Sequence, residues 1–195
     1  MRVEWQRRIL QCSVAVCLLQ VQQVTARSAA PEDRASPSAR ITFADGQLSF
    51  VAPPGFTPLT AEEIAQKFPR GNPPRNVLGN SRRTTTIAYD LLDQRAPSND
   101  LEAARKTFVG IYEQTFRGLK WVATDRRPVG ALQTAYFEFT APAADQEIHN
   151  VVLVSVYSGR VLMFNFNSTV TEFSQVEPSL RKAMASIATA PARGR

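Results

Sequence analysis

The sequence predicts an α+β fold: an antiparallel β-sheet packed with helices. Three observations carry that expectation. Glu147 to Phe166 holds two apolar runs hinged at Ser158-Gly159, the pattern of a central hairpin. Leu101, Ala104, Phe108, Ile111, Thr115 and Leu119 recur at spacings of three and four, which makes one apolar stripe along a helix that must lie on the sheet. At 195 residues and 44% hydrophobic, the chain is long enough for one domain with a real core and too short for two to be expected.

The N-terminus reads as an export signal. Arg2, Arg7 and Arg8 precede the apolar stretch Ile9 to Val21, and small residues follow, so residues 1–30 are expected to be a cleavable signal peptide. Cleavage could follow Ala26, with Val24 and Ala26 as the small or aliphatic pair, or Ala30, with Ser28 and Ala30. A membrane anchor is the poorer reading, because Gln11 and Gln20 interrupt a run that falls short of the roughly 20 residues a spanning helix needs. Val14-Ala15-Val16-Cys17 has the outline of a lipobox, but Val16 stands where such motifs carry a small residue. The 2 cysteines, Cys12 and Cys17, both fall inside this segment, so the mature domain is expected to lack a disulfide, a thiol nucleophile or a zinc-thiolate site. Residues 31–40, rich in Pro, Ser, Ala and charge, have no apolar periodicity and read as a disordered linker.

The domain is expected to span residues 41–188. Ile41 to Phe43 and Leu48 to Phe50 flank Ala44-Asp45-Gly46, where Asp-Gly signals a hairpin. Pro53-Pro54 then breaks the strand. Thr60 and Glu63 are spaced as a capping box for a short helix ending near Phe68, with Pro69 as its stop. Arg70 to Arg83 reads as the longest irregular stretch. Thr84 to Leu92 is a strand with Thr85, Ile87, Tyr89 and Leu91 on one face. Asn99 or Asp100 caps the long helix. Trp121 to Thr124 and Thr134 to Thr140 are further strands, and the central hairpin follows. In its first arm, Val151 to Tyr157 is apolar or small almost throughout, as a strand covered on both faces requires. In its second arm Leu162, Phe164 and Phe166 alternate with Met163, Asn165 and Asn167, giving one packed face and one partly polar face. Pro178 fits the first turn of a closing helix, with Leu180, Ala183, Met184 and Ile187 buried and Pro191 as its end. Residues 189–195 are expected to be a flexible tail.

Composition excludes some function classes. The 23 Lys+Arg are set against 17 Asp+Glu, a net charge of +6, and the densest basic groups are only Arg82-Arg83 and Arg126-Arg127, each expected beside a turn. That is no nucleic-acid footprint. The 1 histidine, His149, rules out a histidine-based metal site and reads as an edge or surface residue. Asp90, Asp93 and Asp100 lack calcium-loop spacing, and Gly71 to Gly79 lacks the Lys-Ser/Thr ending of a phosphate loop. Tyr112, Phe116 and Trp121 are read mainly as packing. No catalytic, metal or cofactor residue is assigned. A partner-binding surface is placed on the loop: Arg70, Arg75, Arg82 and Arg83 form a basic rim around an apolar tip of Val77 and Leu78, suited to an acidic protein surface.

The order of elements, with Phe50-Val51-Ala52-Pro53-Pro54-Gly55-Phe56 near the start and Leu162 to Phe166 leading through Phe173 to Leu180, Met184 and Ser186-Ile187 at the end, resembles the PsbP/DcrB-like superfamily, which includes a Ran-binding Mog type. The resemblance covers about Ile41 to Ile187. It implies a small non-enzymatic domain, since members are envelope proteins, photosystem accessory subunits and chaperones for secreted toxins. No photosystem-type histidine pair is matched, and no site residue is carried over. The expectation is a non-enzymatic, exported binding or accessory domain, periplasmic or secreted, that needs no cofactor and meets a protein or envelope component. Membrane contact would arise only through a lipidated Cys17 or an uncleaved signal. The competing readings are an immunity protein or chaperone for a secreted toxin, and a hydrolase built on a carboxylate pair.

Overall fold

The computed structural model describes residues 38–68, 73–143 and 146–190. Its centre is a seven-stranded antiparallel sheet. The strands are β3 (Thr57–Pro58), β4 (Val77–Gly79), β5 (Thr85–Arg95), β6 (Lys120–Val129), β7 (Leu132–Ala143), β8 (Gln146–Tyr157) and β9 (Arg160–Thr169), lying side by side in the order β3-β4-β5-β9-β8-β7-β6. The hairpin expected at the heart of the chain is β8 and β9, in register from Ile148 opposite Thr169 to Tyr157 opposite Arg160. Its two-residue turn has Ser158 at φ 50 and Gly159 at φ 72; positive φ at both central residues matches the right-handed twist of the flanking strands. Val151 to Val154 are buried on both faces.

One face of this sheet is covered by two helices, α1 (Ala61–Lys67) and α2 (Leu101–Thr115). The Thr60 hydroxyl accepts from Glu63 N at 3.2 Å and the Glu63 carboxylate accepts from Thr60 N at 2.7 Å, the reciprocal cap read from the sequence. Asp100 caps α2 through Glu102 N and Ala103 N. Phe108, Ile111 and Tyr112 bury the inner stripe of α2 against Ala135, Phe137 and Phe139, whereas Leu59, Ile64 and Phe68 of the α1 region close over Val77 and Ala88.

The opposite face carries α3 (Val170–Ala185) and a three-stranded sheet in which β1 (Arg40–Phe43) and β10 (Ala188–Thr189) flank β2 (Leu48–Val51). Phe50 and Phe43 set their rings edge-on against Tyr89 and Phe164 at centroid distances of 4.9 to 5.9 Å, a geometry worth about 0.5–1.5 kcal/mol per pair beyond area burial. The helix and the small sheet are tied together where Ser186 Oγ accepts from Val51 N at 2.7 Å.

The structure departs from the sequence reading at several points. Val77 to Gly79 is a strand inside the stretch read as irregular. Helix α3 begins at Val170 and runs through Pro178 rather than starting there. Proline in a helix interior forfeits one backbone bond, but Phe173 and Leu180, two turns apart, are 8% and 0% exposed and hold both halves on the sheet. Strands reach Arg40 and Thr189, so ordered structure extends slightly past both ends of the expected domain. Arg126 and Arg127 lie within β6, not beside a turn; charges and Pro128 suit that edge position. The signal-peptide residues, most of the linker, and Pro191 with the rest of the tail lie outside the described residues.

Candidate functional site

Between the C-terminal ends of α1 and α2 the sheet is not covered, and a groove opens there. Alternation along the strands puts Ala88 and Asp90 of β5, Met163 and Asn165 of β9, and Asn150 and Val152 of β8 on its floor. Phe68, the C-cap of α1, forms one wall, and Tyr112 with Phe116, the C-cap of α2, forms the other; Pro74 and Pro142 stand at the rim. The groove is narrow, with a cavity of about 60 Å³. The wall is aromatic: Tyr112, Phe116 and Phe139 sit with centroids 5.2 to 5.9 Å apart.

Its polar groups are unevenly satisfied. Asp90 accepts from Arg75 N at 2.8 Å and Asn76 Nδ2 at 2.9 Å, yet burial outweighs these bonds and raises its carboxyl above the ordinary range. Asn150 Nδ2 donates to Ile148 O. Three buried side-chain polar atoms have no hydrogen-bond partner among the described residues: Gln94 Oε1, Tyr112 Oη and Asn165 Oδ1. Two of the three belong to the groove. Tyr112 is 1% exposed, and burial drives its phenol well above its ordinary pKa, so the hydroxyl stays protonated and able to donate.

A second polar cluster lies on the opposite face. The Glu138 carboxylate accepts from Tyr136, from Arg181 Nη2 at 2.6 Å, and pairs with His149 Nε2 at 2.8 Å. Arg127 stacks over the Tyr136 ring at 3.9 Å, and Arg181 also reaches Glu177 at 3.0 Å. Burial would raise the Glu138 pKa, but the bonds from His149, Tyr136 and Arg181 prevail and hold it at about 2; burial and the same carboxylate push Tyr136 up to about 12. His149 is therefore not the edge residue expected from sequence. It sits on an interior strand, its side chain 12% exposed, with its ring stacked on Phe173 at 3.5 Å. One ring nitrogen and one ring face are committed to packing, which makes this cluster a clasp between β7, β8 and α3.

Comparison with solved structures follows from this architecture. The cyanobacterial PsbP (CyanoP) of Synechocystis matches with a TM-score of 0.57 at 15% identity, over 84% of this chain and 98% of that one. LpqN of Mycobacterium tuberculosis, involved in cell envelope biogenesis, matches at 0.52 and 11%, over 80% and 91%. The Ran-binding protein Mog1p of Saccharomyces cerevisiae matches at 0.50 and 16%, over 79% and 96%. The chain has the PsbP/Mog1/DcrB-like fold. No protein-family model and no curated relative matches the sequence.

Within this PsbP-like fold the residues expected to form a basic rim around an apolar tip are dispersed. Val77 and Leu78 are not a tip: they are 3% and 1% exposed in β4, one under α1 and the other in the main core. The stretch is too close to β5 to loop away, because Val77 and Leu78 stand in register with Ala88 and Ile87. Arg83 is a brace, its guanidinium bonded to Glu63 and Thr57 at 2.9 Å and Gly79 O at 3.1 Å. Arg82 reaches Glu172 at 2.9 Å on α3. Arg75 borders the groove through its backbone bond to Asp90, and its guanidinium pairs with Asp93. Arg70 lies outside the described residues. Tyr112 is legible in the sequence only as packing. Asn165 does carry a signal, since an asparagine on the polar side of an interior strand has to face something other than core.

Proposed function

We propose that this chain is an exported, non-enzymatic binding domain, periplasmic or secreted, that acts through contact with a protein or envelope component, and that the groove between α1 and α2 is its contact surface. One observation carries the reading. In the groove two buried polar groups, Tyr112 Oη and Asn165 Oδ1, have hydrogen-bonding capacity that the described residues do not meet, and such groups cost free energy until a partner satisfies them. The strongest charge cluster, around Glu138, is instead consumed in holding α3 to the sheet. Likeness of fold to a Ran-binding protein and to an envelope-biogenesis protein is compatible with a binding role. Among the described residues of the Arg70 to Arg83 segment, Arg75, at the groove's border, is best placed to meet a partner. Residues 1–30 are the proposed leader, and the tether that follows it ends before β1 begins at Arg40.

The test uses the full chain in its native host with a photo-crosslinking residue at Pro142, on the groove rim, or at Thr42, on β1 across the molecule. A specific adduct from Pro142 and none from Thr42 is expected; equal adducts from both positions would remove the groove as the contact surface. In the same preparation, mass spectrometry should find a chain beginning at Arg27 or Pro31. An intact cytosolic form beginning at Met1 would defeat export.

A further inference from the structure

We propose that the groove binds a neutral, hydroxyl-bearing amphiphile with a slender apolar chain, an inference that rests on the groove being the contact surface. Shape is the first ground. The groove's cavity of about 60 Å³ is well below the volume of a drug-sized site, so it takes in only a slender group, with the rest of a ligand lying in the open mouth. Its apolar lining includes Phe68, Phe116, Phe139, Val152 and Met163, which suit methylene groups.

Hydrogen bonding is the second ground. Tyr112 Oη and Asn165 Oδ1 are buried and without partner among the described residues. A phenol offers one donor and accepts as well, while an asparagine amide presents an acceptor at one end and donors at the other. A hydroxyl head donates and accepts hydrogen bonds from one atom, so it satisfies either group in either orientation; an alkane satisfies neither.

Charge is the third ground, and it decides against anions. Asp90 lies on the floor. The C-terminal end of α2, a helix of 15 residues capped at Phe116, is at the wall, and a helix C-terminus carries partial negative charge. No Lys, Arg or His is among the described lining residues. A carboxylate head would meet repulsion and lose hydration with nothing to replace it, whereas a neutral hydroxyl loses little.

The experiment titrates the full 195-residue chain at pH 7 with N-phenyl-1-naphthylamine, a neutral fluorophore that brightens in apolar sites, and displaces it with 1-decanol or with decanoate. Enhancement with displacement by decanol at a concentration at least tenfold below that of decanoate is the expected result. Tyr112→Phe removes only the unpartnered hydroxyl; it should weaken decanol at least fivefold while leaving the thermal midpoint unchanged or higher, and Asn165→Leu should weaken decanol similarly. Fluorophore binding with decanoate equal to or better than decanol would overturn the ligand class and leave the groove as a binding surface. Decanol affinity unchanged in Tyr112→Phe and Asn165→Leu would overturn the assigned hydrogen bonds. Absence of any enhancement, in parent and variants alike, would mean a groove that holds only water and would sink both the ligand class and the surface.

Discussion

Replacing Glu138 by glutamine should remove a block of stability that is present at neutral pH and absent in acid. The carboxylate is 8% exposed and faces Tyr136 from its own strand, His149 from β8, and Arg181 from α3, which is itself held by Glu177; Arg127 over Tyr136 adds a further cation. These partners lower its pKa from 4.5 to about 2 in spite of burial. At about 1.4 kcal/mol per unit, that depression is about 3 kcal/mol favouring the folded state when the group is ionised. The sign follows from linkage. Because the folded pKa is the lower one, the contribution is complete above the unfolded value of 4.5 and is lost as pH falls from there through about 2. Screening removes little of it, since the pair is largely shielded from solvent. Urea unfolding of parent and Glu138→Gln at pH 7, 4.5 and 2 measures the effect. The parent should lose about 3 kcal/mol more than the variant between the highest and lowest pH. A gap between them that stays the same at all three values would refute the account of Glu138 as an ionised clasp.

Phe108→Ala should cost about 3–5 kcal/mol, because the ring is 1% exposed and packs on Tyr112 and Phe137 at 5.8 Å; an unchanged denaturation midpoint would refute the placement of α2 on the sheet. Gly130→Ala should also destabilise, by about 2 kcal/mol or more, since Gly130 has φ +56 and a Cβ there would lie 2.4 Å from Ile187 O, the atom that accepts from Ala131 N at 2.8 Å. No loss of thermal stability would disprove that close approach. Asp90→Asn tests the opposite sign to Glu138. Burial raises the Asp90 carboxyl, so ionisation penalises the folded state as pH climbs past the ordinary value, and the variant should gain on its parent between pH 3 and pH 7. A difference independent of pH would show that Asp90 is not desolvated.

The long-period signals in the sequence translated directly into structure. The Thr60 and Glu63 cap and the Ser158-Gly159 turn are local consequences of side-chain chemistry, and both occur where expected; the helical stripe holds through Phe108 and Ile111, but the helix ends at Thr115, so Leu119 lies beyond it and Tyr112 joins the buried face instead. What failed were inferences that needed a neighbour. Proline and glycine around Val77 signalled a loop, but pairing with β5 supplies hydrogen bonds that no local pattern contains. Pro178 signalled a helix start, and tertiary burial of Phe173 overrode it. His149 followed the same rule: its sequence position suggested an edge, while its environment is made by Glu138 and Phe173, one on the adjacent strand and the other on α3. The groove was half visible. Alternation showed that Asn165 and Asn167 share the polar side of a central strand; the pairing of β5 with β9 sets Thr86 Oγ1 to donate to Asn167 at 2.7 Å, and the gap between the helices leaves Asn165 on the open floor.

The opening itself follows from widths. Seven strands at about 4.8 Å spacing span roughly 29 Å, and a helix with its side chains covers about 10 Å. Two helices therefore leave about 9 Å of that face uncovered, the breadth of two strands. On the other face a helix and a three-stranded sheet together span roughly 20 to 24 Å by the same dimensions, and Phe43 and Phe50 of that sheet pack directly onto Tyr89 and Phe164. The first gap is not filled in that way, because its floor carries Asp90, Asn150 and Asn165. A sequence selected only for stability would put aliphatic side chains at those floor positions and close the walls over them, because an unmet buried polar atom costs about 1–3 kcal/mol. Retaining polar groups where the helices cannot reach is the arrangement expected of a surface whose remaining hydrogen bonds come from another molecule.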